Sequence, residues 1–417
     1  MPDTAGEHAR AAAEEVARRS YGKLLAWLAA RTRDVAGAED ALADALAAAL
    51  THWPEHGVPE NPEAWLMTVA KRNRLDRRRR ETTAAEAAGH LRLIAEEIMS
   101  EPDAANEIPD RRLALMFACA HPAIEASARA PLILQTILGF DAATIAAAFL
   151  VSPAAMGQRL ARAKTKIRVS GIPFHVPTAG DLAERLDTVL EAIYAAYTEG
   201  WSDPSGLDPG RRELAGEAIW LGRLVVSLLP EAPEALGLLA MMLYLESRRE
   251  ARRDAAGAYI PLADQDARAW DAAMIAEAET LLVRANALPG SGRYQIEAAI
   301  QSAHAIRRVA GAADWPAILA LYDALIALTG SNVAAVNRAV ALGEVDGPDA
   351  GLAALDALAA DPQLADFQPY YAARAELLAR KGNTTAAEQA YSRAIALETD
   401  PAVLTFLKSR LSPHAVH

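Results

Sequence analysis

Seven of the ten residues from Lys71 to Arg80 are basic. They follow directly on Trp65, Leu66 and Val69, whose helical spacing gives the same stretch an apolar face. Cations at that density neutralise phosphates, so the chemistry they suit is contact with a nucleic-acid backbone. A solvated helix C-terminus, where the same charges complement the macrodipole, is the plainer alternative. A second set lies further along. Gln158 and Arg162 are side-chain types that read base edges, and Arg159 and Lys166 beside them are types that hold phosphates. A third set, Glu199, Asp264, Asp266, Glu297 and His304, has the groups needed for acid–base or metal chemistry if the fold gathers them. Their spacing matches no ligand set, and Arg211, Arg212, Arg248, Arg249, Arg252 and Arg253 are at hand as ion-pair partners. No catalytic residue, metal ligand or cofactor is therefore assigned, and the chain reads as a binding protein rather than an enzyme.

These side chains need helices to carry them. The stretch from Gly139 to Lys164 reads as two helices joined by a tight turn, with Asp141 as N-cap of the first. Ser152 caps the second, and Pro153 occupies its first helical position. Met156, Leu160, Ala163 and Ile167 recur at helical intervals and form a buried stripe, leaving Ala155, Gln158, Arg162 and Thr165 on the opposite face. A helix-turn-helix of this kind lays its second helix in the major groove of DNA.

The rest of the chain points the same way. Hydrophobic residues make up 52% of it, alanine is very frequent, and alternating β-branched runs are almost absent. An all-α fold is expected throughout. The amino end is polar and charged, and no apolar run is long enough to span a bilayer, so no membrane association is expected. The single cysteine, Cys119, sits in apolar sequence near His121 and reads as a buried small hydrophobe; with no disulfide framework the compartment is a cytoplasm.

Charge divides the chain. Residues 1–172 hold 22 basic and 22 acidic side chains, so the net charge of −12 falls entirely in residues 173–417. Within the first part, residues 81–110 carry eight acids and one arginine, and residues 111–172 carry eight basic residues and two acids. The proline-punctuated run Gly171–Pro177 ends the helical periodicity and marks a domain boundary. Helical patterns then cover Leu182–Tyr197, Arg212–Leu229, Pro233–Arg253 and Ala267–Ala287. Near the end, Trp315, Ile318, Tyr322 and Leu325 share spacing with Ala387, Tyr391 and Ala394, and Tyr322 and Tyr391 lie 69 residues apart. That is about two periods of a 34-residue tetratricopeptide repeat, which predicts a TPR-like helical solenoid with a degenerate repeat around Leu352 and Leu355.

Taken in order, these motifs resemble the sigma-70 family, and within it the extracytoplasmic-function type with a C-terminal helical and TPR-like extension. The segment Asp34–Leu46 is similar to the helix that such proteins lay on the clamp of RNA polymerase. The Trp65–Leu66 helix is similar to the segment that contacts and melts the −10 element, and Val151–Lys164 to the −35 reading helix. Tyr194–Trp201, Leu262–Asp271 and Tyr294–His304 resemble phrases of the extension. The resemblance implies a sigma region 2 bundle over 1–80, an acidic connector over 81–110, a region 4 helix-turn-helix over 111–172, a helical extension over 173–310 and TPR-like repeats over 311–417. It further implies that Glu39, Asp40 and Asp44 contact core RNA polymerase. Trp65, Arg72, Asn73, Arg77 and Arg78 would then act on −10 promoter DNA, with an opened base captured in a loop within His52–Asn61, and Gln158, Arg159, Arg162 and Lys166 on the −35 element. The acidic C-terminal part is expected to make an intramolecular contact with the basic sigma part. A helix-turn-helix regulator that senses a peptide through its repeats and never engages polymerase is the alternative.

Overall fold

The computed structural model describes residues 4–81, 111–149, 151–175, 177, 179–201 and 209–411. Among them every regular element is a helix, and the sole β feature is an isolated bridge between Arg253 and Tyr259. The all-α class expected from composition is the class observed. The residues gather into two compact units, 1–195 and 196–417.

The first unit contains α1 (Thr4–Thr32), α2 (Val35–His56), α3 (Pro62–Glu81), α4 (Arg112–Cys119), α5 (Ala126–Leu138), α6 (Ala142–Ala148), α7 (Pro153–Ser170) and most of α8 (Ala179–Trp201). Asp34 starts α2 by accepting the Gly37 N–H at 3.1 Å, and Asn61 does the same for α3 from Ala64 at 3.0 Å, satisfying donors that have no partner inside a helix. Helices α1, α2 and α3 pack on one another, but they do not form a separate core. Helix α1 also packs on α4 and α5, and α2 packs on α7. Leu24, Leu25, Leu42, Trp53, Leu66, Phe117 and Leu132 are all fully buried. The approach of α1 to α5 is close enough that a Cβ on Gly22 would lie 2.1 Å from the carbonyl oxygen of Ile137; only glycine fits there. Gly171, in the left-handed conformation, ends α7.

The second unit takes the end of α8 and then α9 (Pro209–Leu228), α10 (Pro233–Glu246), α11 (Ala272–Asn286), α12 (Arg293–Ala305), the short α13 (Arg307–Ala310), α14 (Trp315–Thr329), α15 (Asn332–Val345), α16 (Pro348–Ala357), α17 (Gln368–Arg380), α18 (Thr384–Leu397) and α19 (Pro401–Leu411). Every residue of α10 from Ala235 to Tyr244 is buried, as befits a helix that is apolar all round, and α9, α11 and α12 enclose it. The Glu234 carboxylate accepts the N–H groups of Tyr294 and Gln295 at 2.9 and 3.1 Å, capping α12 across the packing interface. From α14 onward each helix packs on the next. Ile318 and Leu325 lie in one core cluster with Trp315 and Tyr322 against it, while Leu352, Leu355, Ala387, Tyr391 and Ala394 share another.

Two helical spans differ from the periodicity. The pattern Pro233–Arg253 is helical only to Glu246, because Ser247 turns its hydroxyl onto the Tyr244 carbonyl at 2.7 Å and its own carbonyl onto the Asp271 N–H at 2.8 Å. Ala267–Ala269 is a single 3₁₀ turn, and α11 begins only after Asp271, whose carboxylate accepts from Ala273 and Met274. Both ends are set by polar side chains that compete with the helical ladder.

Candidate nucleic-acid interface

Helix α3 docks through Leu66, Met67 and Ala70, which are buried. That leaves Trp65, Lys71 and Asn73 half-buried and Arg72 exposed. Glu63 fixes the start of the helix on α1, accepting from the Ser20 hydroxyl at 2.5 Å and Lys23 Nζ at 3.2 Å. The Trp65 ring lies 5.5 Å from both Trp53 and His52, and His52 stacks on His56 at 4.1 Å. Lys71 Nζ sits 4.4 Å above the Trp27 ring, with the Arg31 guanidinium 5.0 Å from the same ring; the aromatic face steadies cations at the edge of the bundle. Arg77 and Arg78 continue the backbone of α3, and their side chains lie outside the described residues, as does the segment 82–110 that holds nearly all of the acidic connector.

The loop expected within His52–Asn61 is shorter than the sequence suggests. Helix α2 runs on to His56, held by the buried Trp53 and closed by the Gly57 N–H on the Trp53 carbonyl. Only residues 57–61 remain outside the helices. His52 and His56 are therefore presented from a helix end beside Trp65, next to the 57–61 loop.

Helix α7 carries the second set. Its buried residues are Met156, Leu160, Ala163 and Ile167, the stripe expected from spacing. Ser152 accepts the Ala155 N–H, and Asp141 accepts the Thr144 N–H at 2.7 Å before α6. Gln158, Arg162 and Lys166 are exposed. Arg159 is half-buried and donates to the Ser127 carbonyl at 3.3 Å. Arg159, Arg162 and Lys166 line a cavity of about 220 Å³ with Ile124, Glu125 and Ala128. The Glu125 carboxyl is held below the usual carboxylate range by the Ser127 hydroxyl and by Arg162 and Arg159. An exposed carboxylate among three cations tempers their field and can accept hydrogen bonds from a base edge. Nothing in its spacing from α7 marks Glu125 as part of this surface.

The acids of α2 part company. Asp40 and Asp44 are exposed on the same helix. Glu39 turns instead toward α7 and meets Lys164 Nζ at 2.5 Å, the two side chains being only 18% and 13% exposed. Burial raises the Glu39 carboxyl above its usual range against the pull of Lys164, and the same charge, added to burial, raises the Tyr21 phenol. Cys119 is buried beside Thr136, its thiol pushed up to about 12 by desolvation.

The third set stays dispersed. Asp266 pairs with Arg268 at 2.9 Å, Glu297 with Arg293 at 2.7 Å, and His304 lies edge-on to Trp315 at 5.4 Å. Among the described residues no group of three or more His, Cys, Asp or Glu side chains is placed to hold a metal ion.

Comparison with known proteins matches two stretches of the chain. Residues 16–83 match sigma-70 region 2, the span of α1, α2 and α3. Residues 185–286 match a family of unknown function (DUF6596), which runs from within α8 through α11. A protein of Rhizobium meliloti (strain 1021), described as uncharacterised, is 39% identical over 384 residues, covering 90% of this chain and 89% of its own. No solved structure matches the chain. No helix among the described residues is long and apolar enough to cross a membrane. The chain belongs to one family with the Rhizobium protein, and the region 2 match over residues 16–83 supports a sigma-70 family member.

Proposed function

We propose that this protein is an alternative sigma factor of the extracytoplasmic-function type, acting in the cytoplasm, that directs core RNA polymerase to its promoters and helps open them. The sigma-70 region 2 match on α1–α3 carries this reading; members of that family are transcription-initiation factors rather than enzymes. Asp40 and Asp44, exposed on α2, meet the polymerase, and Glu39 joins them once it leaves Lys164. Trp65, Arg72, Asn73, Arg77 and Arg78 act on the −10 element. The helix pair α6 and α7 serves as region 4, with Gln158 and Arg162 on −35 base edges and Arg159 and Lys166 on phosphates. The domains follow the divisions 1–80, 81–110, 111–172, 173–310 and 311–417, the last built of TPR-like repeats.

The C-terminal part acts in cis. It carries the whole acidic surplus, and covalent linkage gives it an effective concentration on the order of millimolar toward the basic helices. Run-off transcription with purified core polymerase tests both statements. The full chain should yield promoter-specific transcripts, and a chain lacking residues 173–417, shown to be folded by circular dichroism, should change their amount several-fold. Promoter binding with no polymerase-dependent transcript would favour a helix-turn-helix regulator instead.

A further inference from the structure

Residues 247–271 join α10 to α11 without an α-helix of their own. Connections beyond roughly 12 to 15 residues in a compact domain are functional loops or disordered ones, and this one is fixed by its own hydrogen bonds. Within it residues 252–260 fold back as a tight turn. The Asp254 N–H donates to the Ala258 carbonyl at 3.0 Å and the Ile260 N–H to the Arg252 carbonyl at 2.8 Å, and Arg253 and Tyr259 form the antiparallel bridge. The Asp254 carboxylate accepts the N–H groups of Ala256 and Ala258 at 2.9 and 2.8 Å, and Gly257 supplies a positive φ of 83°, which glycine adopts without strain. Both feet of the turn are pinned. Arg252 donates to the Trp201 carbonyl at 3.1 Å with its guanidinium 4.4 Å from the Trp201 ring, and Arg307 donates to the Ala263 carbonyl at 2.7 Å. The tip, residues 254–258, is exposed.

The turn reaches the far end of the chain. Arg253 Nη2 meets Asp400 Oδ2 at 3.0 Å across 147 residues, and the Tyr259 ring stands edge-on to Phe406 of α19 at 5.5 Å. Asp400 serves two partners: Oδ1 accepts the Ala402 N–H at 2.8 Å and caps α19, and Oδ2 takes Arg253. A solenoid stacked repeat by repeat touches neighbours alone, whereas this contact joins the start of the array to its last helix. All four of its side chains are only half-buried. The helices of the array, by contrast, close over buried residues such as Leu355, Leu377 and Tyr391. The contact is the thin seam of the second unit, and local opening begins where buried apolar contact is least. Because the feet stay pinned when the seam parts, the turn remains set to close again. We propose that the 252–260 turn is a latch: it holds α19 against the start of the array in the resting chain and lets it go in one step, freeing the Tyr259 and Phe406 rings together with the Arg253 and Asp400 charges. Nothing in this latch depends on promoter reading by the first unit.

Each side of a latch reports on the other, so hydrogen exchange of the full chain, read by mass spectrometry on peptides covering 252–260 and 401–411, tests it. In the parent, 401–411 should exchange at least several-fold faster than 235–244 of the buried α10. Tyr259→Ala should raise exchange in 401–411 several-fold further. Asp400→Asn keeps a capping oxygen for α19 but loses the charge that holds Arg253, and should raise exchange in 252–260. Tyr259→Phe keeps the ring and should retain the protection of 401–411. Arg268→Gln, at an exposed arginine paired with its neighbour Asp266, should leave both peptides as in the parent. Circular dichroism first shows each variant to be folded; should Tyr259→Ala not fold, Arg253→Gln removes the other half of the contact and carries the same expectation for 401–411. If each substitution moves only its own segment, if Tyr259→Phe loosens 401–411 as much as Tyr259→Ala does, or if 401–411 in the parent is as protected as 235–244, the latch is overturned.

Discussion

Burial works against the charge of Glu39 and of His304, in opposite senses. Glu39 is raised by desolvation while Lys164 draws it back, and His304 is depressed from 6.5 to about 4 with two arginines reinforcing the effect. A depressed histidine binds fewer protons in the folded state than in the unfolded one. Its contribution to stability is therefore complete above pH 6.5 and is lost as pH falls toward 4, amounting to roughly 3 kcal/mol. Urea unfolding at pH 7 and pH 4.5 should show His304→Gln losing less stability between the two than the parent does; equal losses would contradict it. Sequence reasoning had singled out His304 with four acids as a candidate acid–base set, on residue type alone. What depresses it is burial, to which a pair of arginines adds; Arg248 lies on another element, and no spacing rule reaches that far. Lys164 was hidden for the same reason: its partner lies 125 residues away.

Helix α7 was the most legible element, because a capping serine, a proline at the first position and an apolar stripe all specified one helix in one orientation. Its exposed side chains divide by chemistry. Arg162→Ala should lower transcription from the cognate promoter and relax preference within the −35 element, while Lys166→Ala should weaken binding almost uniformly and flatten its salt dependence. Binding measured across −35 variants and across salt separates the two; equal sensitivity to sequence in both variants would refute the division. Gly157 interrupts the same helix with open space where a Cβ would stand. Gly157→Ala should accordingly stabilise the protein by about 0.5 to 1 kcal/mol, read from the denaturation midpoint. Legibility failed where side chains ended helices early. Ser247 and Asp271 look like ordinary polar residues in periodic stretches, and only the Ser247 hydroxyl on the Tyr244 carbonyl and the Asp271 carboxylate on the Ala273 and Met274 N–H groups show why α10 stops and α11 starts late. Within His52–Asn61 the non-helical stretch is 57–61, since a buried tryptophan carries the helix past a proline.

Within the first unit, the helices matched to sigma-70 region 2 share their core with α4, α5 and α7, and Glu39–Lys164 is the polar tie between α2 and α7. Lys164→Met removes one partner and leaves a largely buried carboxylate without its cation, which should cost about 1 to 3 kcal/mol, whereas Glu39→Gln with Lys164→Met should recover part of that loss. A double-mutant cycle in urea gives the coupling, and strict additivity would show that the tie contributes nothing. The sequence divided this region into two modules with a connector, a division that follows charge and motif order. The backbone-close seat of Gly22 against Ile137 has a further consequence. It makes the first unit a natural split protein: a protease site engineered between residues 82 and 110, once cut, should leave two fragments that co-elute on gel filtration in native buffer and separate only in denaturant. Gly22→Val, which forces that seat open, should let the severed halves drift apart.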